Sequence, residues 1–183
     1  MAVSYNTTID QGADWYITFI YNQPAEITNI TANGTTITVT AVNGFTANQT
    51  ASISGVNPSQ YNLQNFTVVN PTSSSFQITN GATGTYISGG LAYAPVNLTG
   101  YSAALQIRSL PSDPTAVLSL ATSGNGITIT ALTGQIDVHA TAAQTAAIDE
   151  GTYYYDIEIT SVSGIVTRIA QGQVVVSAEV TRP

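Results

Sequence analysis

Cysteine and lysine are both absent from this chain of 183 residues. Without cysteine there is no disulfide framework, no thiolate metal site and no thiol nucleophile. Without lysine, positive charge falls to Arg108, Arg168 and Arg182, set against ten acids for a net charge of −7. Nucleic-acid binding depends on clustered cations that release counterions from phosphates. Three scattered arginines cannot build that cluster, so no nucleic-acid partner is expected, and an anionic membrane surface is disfavoured for the same reason. Charged residues make up 7% of the chain, against about 25% in ordinary globular domains. No run of about 18 apolar residues occurs, so no membrane-spanning helix is expected. The opening Met1-Ala2-Val3-Ser4-Tyr5-Asn6 lacks a basic segment followed by an apolar one, and reads as no secretory signal. Histidine occurs once, as His139.

What the chain has is 43% hydrophobic residues, solvated by Thr, Ser, Asn and Gln rather than by charge. Low charge with that much apolar content is not the composition of disorder. The dominant period is two. Strands are expected at Trp15 to Tyr21, Thr35 to Thr40, Gly126 to Thr130, Gln135 to Ala140, Tyr153 to Ile159 and Gln173 to Val180. Within Tyr153 to Ile159, Tyr155, Ile157 and Ile159 share one face, and Tyr154, Asp156 and Glu158 the other. Turn pairs punctuate these runs, among them Asn33-Gly34, Asn43-Gly44, Asn80-Gly81 and Ser163-Gly164. One short helix is expected in Thr141 to Ile148, ended by Gly151. Short strands with frequent turns point to an all-β fold built of sandwiches or small barrels.

The middle of the chain differs from its ends. Between Ala25 and Ala94 there is one acid, Glu26, and no basic residue, and Pro24 and Pro95 bracket the stretch. Removing it joins Asp14 to Gln23 directly to Pro95 to Tyr101, which reads as two strands and a short loop. The expectation is an outer domain of residues 1–24 and 95–183, interrupted at a hairpin tip by an inserted domain of residues 25–94.

Candidate chemistry is thin. His139 and Asp137 share a face of the Gln135–Ala140 strand, and the reading is two polar side chains on a wet face, since a metal site or a triad needs convergent partners. Asp156 and Glu158 lie at the ordinary exposed spacing of a strand, with Arg108 or Arg168 as cross-strand partners. Paired carboxylates can hydrolyse glycosides at the right separation, but that spacing alone does not indicate it. Asp10 and Asp14 flank Gln11-Gly12-Ala13. They read as a turn rather than calcium ligands, which come in larger sets. Asp149-Glu150-Gly151 reads as a polar turn. Ser123-Gly124-Asn125-Gly126 has no following Lys-Ser/Thr and is no phosphate loop. Trp15, Tyr16, Tyr21, Tyr93 and Tyr101 could form a sugar platform, but core packing or subunit contact suits them better. Glycosylation triplets at Asn6, Asn29, Asn33, Asn48, Asn65 and Asn97 arise from composition. No catalytic residue, cofactor or metal ligand is expected.

Four blocks carry a resemblance. They are Thr8 to Trp15, Val96 to Arg108, Gly151 to Ile159, and Gly172 to Arg182. In this order they resemble a small immunoglobulin-like domain of tailed-phage virion proteins, frequent in cyanophages, and are similar to the N-terminal domain of phage baseplate upper proteins. The interrupting stretch resembles a small β-barrel-like module of phage tail and fibre proteins, labelled after a ubiquitin-activating-enzyme half-domain. It does so through Ile27 to Ile30, Gly44-Phe45-Thr46, Ser52 to Pro58, Tyr61-Asn62, Phe66-Thr67-Val68 and Gly84 to Gly90. Its relatives often have His-Gly-Phe where this chain has Asn43-Gly44-Phe45, and no cysteine chemistry carries over. The resemblance implies an immunoglobulin-like β-sandwich carrying an inserted barrel. It also implies a non-enzymatic virion protein of a tail, baseplate or neck appendage, assembled in the bacterial host cytoplasm with other virion proteins. A homo-oligomer is expected, a trimer first. The alternatives are a head decoration (cement) protein and a carbohydrate-binding or receptor-binding fibre module.

Overall fold

A computed structural model of the chain describes residues 2–180; Arg182 and the end of the last resemblance block lie outside the described residues. In chain order the strands are β1 (Val3–Ser4), β2 (Thr7–Asp10), β3 (Trp15–Ile20), β4 (Asn22–Ala32), β5 (Thr36–Ala41), β6 (Thr50–Ser54), β7 (Phe66–Thr67) and β8 (Ser75–Thr79). They continue as β9 (Leu91–Pro95), β10 (Ser102–Arg108), β11 (Leu118–Ala121), β12 (Ile127–Thr130), β13 (Gln135–Ala140), β14 (Gly151–Thr160) and β15 (Val166–Ser177). Among the described residues the one α-helix is α1 (Ala142–Ala146), begun by a capping box in which Thr141 and Gln144 exchange side-chain and backbone bonds. The fold is all-β. It divides into two compact units, Met1–Tyr21 with Asn97–Pro183, and Asn22–Val96. Pro24 and Pro95 are strand residues of the second unit, paired with Tyr93 and Asn22.

The first unit is an immunoglobulin-like sandwich. One sheet runs β1-β15-β14-β10-β11 with β2 also on β15, and the other runs β12-β13-β3. Alternation sets the core: Ala103, Leu105 and Ile107 of β10, Ile136, Val138 and Ala140 of β13, and Tyr155, Ile157 and Ile159 of β14 are all buried. The chain alternates between the sheets in steps, with β2 in the first, β3 in the second, β10 and β11 in the first, β12 and β13 in the second, and β14 and β15 in the first, as in an immunoglobulin sandwich. β3 and β10 therefore lie in different sheets. The expected hairpin at the insertion point is instead a crossing between sheets. The amino-terminal β1 and β2 join the last strand in parallel.

Between β13 and β14 the chain turns a corner held by Tyr153. Tyr153 is buried and its hydroxyl donates to the carbonyl of Asp149 at 2.9 Å. This is the tyrosine corner of immunoglobulin-like domains, where a ring packs and its hydroxyl bonds backbone just upstream. Tyr155 reaches the other way and donates to the carbonyl of Tyr5 at 2.8 Å, anchoring the link between β1 and β2. Burial, and then the neighbouring Tyr5, push the Tyr155 phenol up to about 12. Burial, and then the Asp149 carboxylate, raise that of Tyr153.

The second unit is one sheet in the order β7-β6-β9-β4-β5-β8. Its two ends meet at a reciprocal bridge between Val69 and Gln77, so the sheet nearly closes into a small barrel. Ile27, Ile37, Val39, Ile53, Tyr61, Val68, Phe76 and Ile78 fill it. Asn43 is buried there, its amide donating to the Ala41 carbonyl and its oxygen accepting the Phe45 N–H. The residue that departs from His-Gly-Phe thus satisfies its own turn.

Candidate functional site

Strand register builds a polar row straight across the outer face of the six-stranded sheet. Ser4 lies opposite Gln171, Gln171 opposite Asp156, Asp156 opposite Gln106, and Gln106 opposite Ser119. Tyr154, Glu158, Arg108, Arg168 and Gln173 flank this row, and together with its members from Ser4 to Gln106, though not Ser119, they border an open depression of about 740 Å³.

A β-bulge places Arg168 there. From Val176 the inward residues step back through Val174 to Ala170, and the same phase would send residue 168 into the core. The register shifts between Ile157 and Glu158, so Ile169 and Ala170 are both buried and Arg168 turns outward opposite Glu158. Re-aiming a side chain is what a bulge does. The Arg168 Nε then sits 3.0 Å from Asp156 Oδ2 and 3.7 Å from Glu158 Oε1, and its Nη1 donates to Gln171 Oε1 at 3.1 Å. All three charged side chains are more than a third exposed, so these ion pairs organise the face more than they stabilise the fold. Arg108 is held by neutral acceptors: Nη2 donates to Gln106 Oε1 at 2.7 Å and Nη1 to the Asp113 carbonyl at 2.5 Å.

The structure therefore brings Asp156 and Glu158 together, with Arg168 and not Arg108 as their partner. Both carboxylates lean on one guanidinium. Two carboxyls that flank a scissile glycosidic bond need open space between them, and Arg168 stands in it.

The outer face of the three-stranded sheet holds the histidine. His139 does not pair with Asp137. Its Nε2 lies 3.3 Å from Asp14 Oδ1, and its ring stacks on Tyr16 with centroids 4.3 Å apart and planes 1° from parallel. Asp14 Oδ1 also accepts the Ala142 N–H at 2.8 Å, which ties the β2–β3 turn to α1. Asp137 is occupied by Thr18 Oγ1 at 2.7 Å and Gln135 Nε2 at 2.8 Å. Asp10 accepts the Ser177 hydroxyl and, through its carbonyl, the Ala13 N–H of a tight turn. Among the described residues no group of three or more His, Asp or Glu is placed to hold a metal ion. No helix among them is long and apolar enough to cross a membrane.

Of the five aromatics, Trp15 is buried and Tyr21, Tyr93 and Tyr101 are half-buried. Tyr16 alone presents an exposed ring. The Asp14–His139 contact spans 125 positions and no local pattern announces it. The bulge had one signal in the sequence, the adjacent apolar pair Ile169-Ala170 between the polar residues Arg168 and Gln171.

The sequence matches no protein-family model and no curated protein. Among solved structures, a family 123 glycoside hydrolase from Clostridium perfringens, studied for glycolipid glycan hydrolysis, aligns at 12% identity and a TM-score of 0.26. The alignment covers 98% of this chain and 24% of the hydrolase, and likeness at that level carries no argument about fold or activity.

Proposed function

We propose that this chain is a non-enzymatic structural protein of a tailed-bacteriophage particle, acting by protein–protein assembly as a homo-oligomer. The observation that supports assembly is the β14–β15 hairpin tip. Val162, Ile165 and Val166 are each more than half exposed there. The tip is ordered rather than frayed. Ser161 and Ile165 exchange backbone and side-chain bonds, Gly164 N–H donates to the Ser161 carbonyl, and Gly164 supplies the positive φ of 83°. Exposed apolar side chains on a hydrogen-bonded turn suit an interaction surface, and the bonds of the turn lower the entropy cost of binding. The virion assignment rests on the resemblance of four residue blocks to tailed-phage immunoglobulin-like domains, and an appendage of tail, neck or baseplate is the first location.

Sedimentation velocity over a concentration series tests the assembly. The expected result is a discrete oligomer, a trimer first, that dissociates when Val162→Ser and Ile165→Ser are combined. A monomer at every concentration would overturn it.

A further inference from the structure

We propose that the polar face of the six-stranded sheet binds a neutral oligosaccharide, laid across the strands along the row from Ser4 through Gln171, Asp156 and Gln106 to Ser119. The site stands on a single chain and does not rest on the assembly reading.

The chemistry of the row selects the ligand. Amides, a carboxylate and hydroxyls are the groups that bond to vicinal sugar hydroxyls, donating and accepting at once. The depression follows the row over four strands, from Ser4 on β1 to Gln106 on β10, and register carries the row on to Ser119 of β11. At about 4.8 Å between strands the row is roughly 19 Å long and the depression covers roughly 14 Å of it, room for an extended ligand rather than one small molecule. Among the bordering residues Pro111 is the one aliphatic side chain and Tyr154 the one aromatic ring on the outward row, so an acyl chain or an apolar peptide finds little to bury. The Tyr154 ring, half-buried beside Arg108, offers the flat apolar surface that a sugar ring needs.

Charge narrows the class further. Asp156 and Glu158 are balanced by Arg168 and Arg108 within the depression, so the groove is locally neutral, on a chain whose net charge of −7 repels polyanions. The groups are also set in advance. Arg108 holds the Gln106 oxygen, which fixes the orientation of the amide and leaves its NH2, among the described residues, without a protein partner. Arg168 fixes Asp156 and Gln171 together. Donors and acceptors held by a supporting layer before the ligand arrives are the signature of a prepared site.

The test uses the full chain on an array of neutral and acidic oligosaccharides, followed by titration calorimetry with a neutral oligosaccharide that the array retains. Gln106→Ala and Asp156→Ala should each weaken binding about tenfold or more, the effect of one hydrogen bond to a prepared site. Gln106 is exposed, and its variant should keep the wild-type thermal melt, which separates loss of the site from loss of the fold. Tyr16→Ala, on the other sheet, should bind as wild type. The proposal is overturned if the array retains no oligosaccharide or acidic ones only. It is also overturned if Gln106→Ala binds as wild type, or if Tyr16→Ala is the variant that loses binding.

Discussion

Replacing Tyr155 with phenylalanine removes one oxygen and keeps the buried ring. In the wild type that oxygen donates to the Tyr5 carbonyl across 150 positions of sequence, fastening the amino-terminal strands to β14. An intramolecular hydrogen bond contributes about 1 kcal/mol net, and a carbonyl left without its partner adds up to about 1 kcal/mol more when water cannot reach it fully. The expected destabilisation is therefore about 1–2 kcal/mol. It should depend on pH in a defined direction. Tyr155 ionises near 10.0 in the unfolded chain and only at about 12 in the folded one. Its folded value is the higher, so its contribution is complete below pH 10 and is lost as pH rises from 10 towards 12. The gap between wild type and Tyr155→Phe should be largest at neutral pH and close over that interval. Trp15 is the only tryptophan and is buried in the immunoglobulin-like unit, so its fluorescence follows this unit alone through a urea titration. Equal midpoints at neutral pH would refute the hydrogen-bond argument. A gap that stays constant from pH 8 to pH 12 would refute the linkage.

Three other outcomes follow from the packing. At Gly172 an added Cβ would lie 2.0 Å from the Tyr5 carbonyl oxygen, so Gly172→Ala must push the β1–β2 link off β15. A loss of about 2 kcal/mol or more is expected in the same Trp15 assay. Asn43→Ala strips two bonds from a buried turn of the barrel unit, and calorimetry of the whole chain should show a loss of about 1–3 kcal/mol. Residues 22–96 expressed alone should melt cooperatively by circular dichroism, because that unit has its own sheet and core; a featureless melt would contradict this.

The all-β class and most strand positions were legible because one face of each strand is buried, which imposes a period of two on the side chains. Gln135 to Ala140 coincides with β13, and Tyr153 to Ile159 lies inside β14. The helix was legible as well, through Thr141 and the alanines after it. What the sequence hid is non-local. Nothing near Trp15 says that β3 and β10 belong to different sheets, and nothing near Val3 says that the first strands pair in parallel with the last. The last strand begins at Val166 rather than near Gln173, because the bulge at Ile169 breaks the alternation on which strand recognition depends. The polar row has the same origin. Its five residues come from five strands, each unremarkable in its own segment, and only register aligns them.

The proposed place of this protein is a phage particle. The direct measurement is immunogold electron microscopy of purified tailed-phage particles from lysates in which this chain is made, using antibody raised against the recombinant protein. Label on the tail, neck or baseplate is the expected result. Label spread evenly over the head would contradict the appendage reading in favour of a decoration protein, and particles bare of label both intact and partly disrupted would contradict the virion assignment itself.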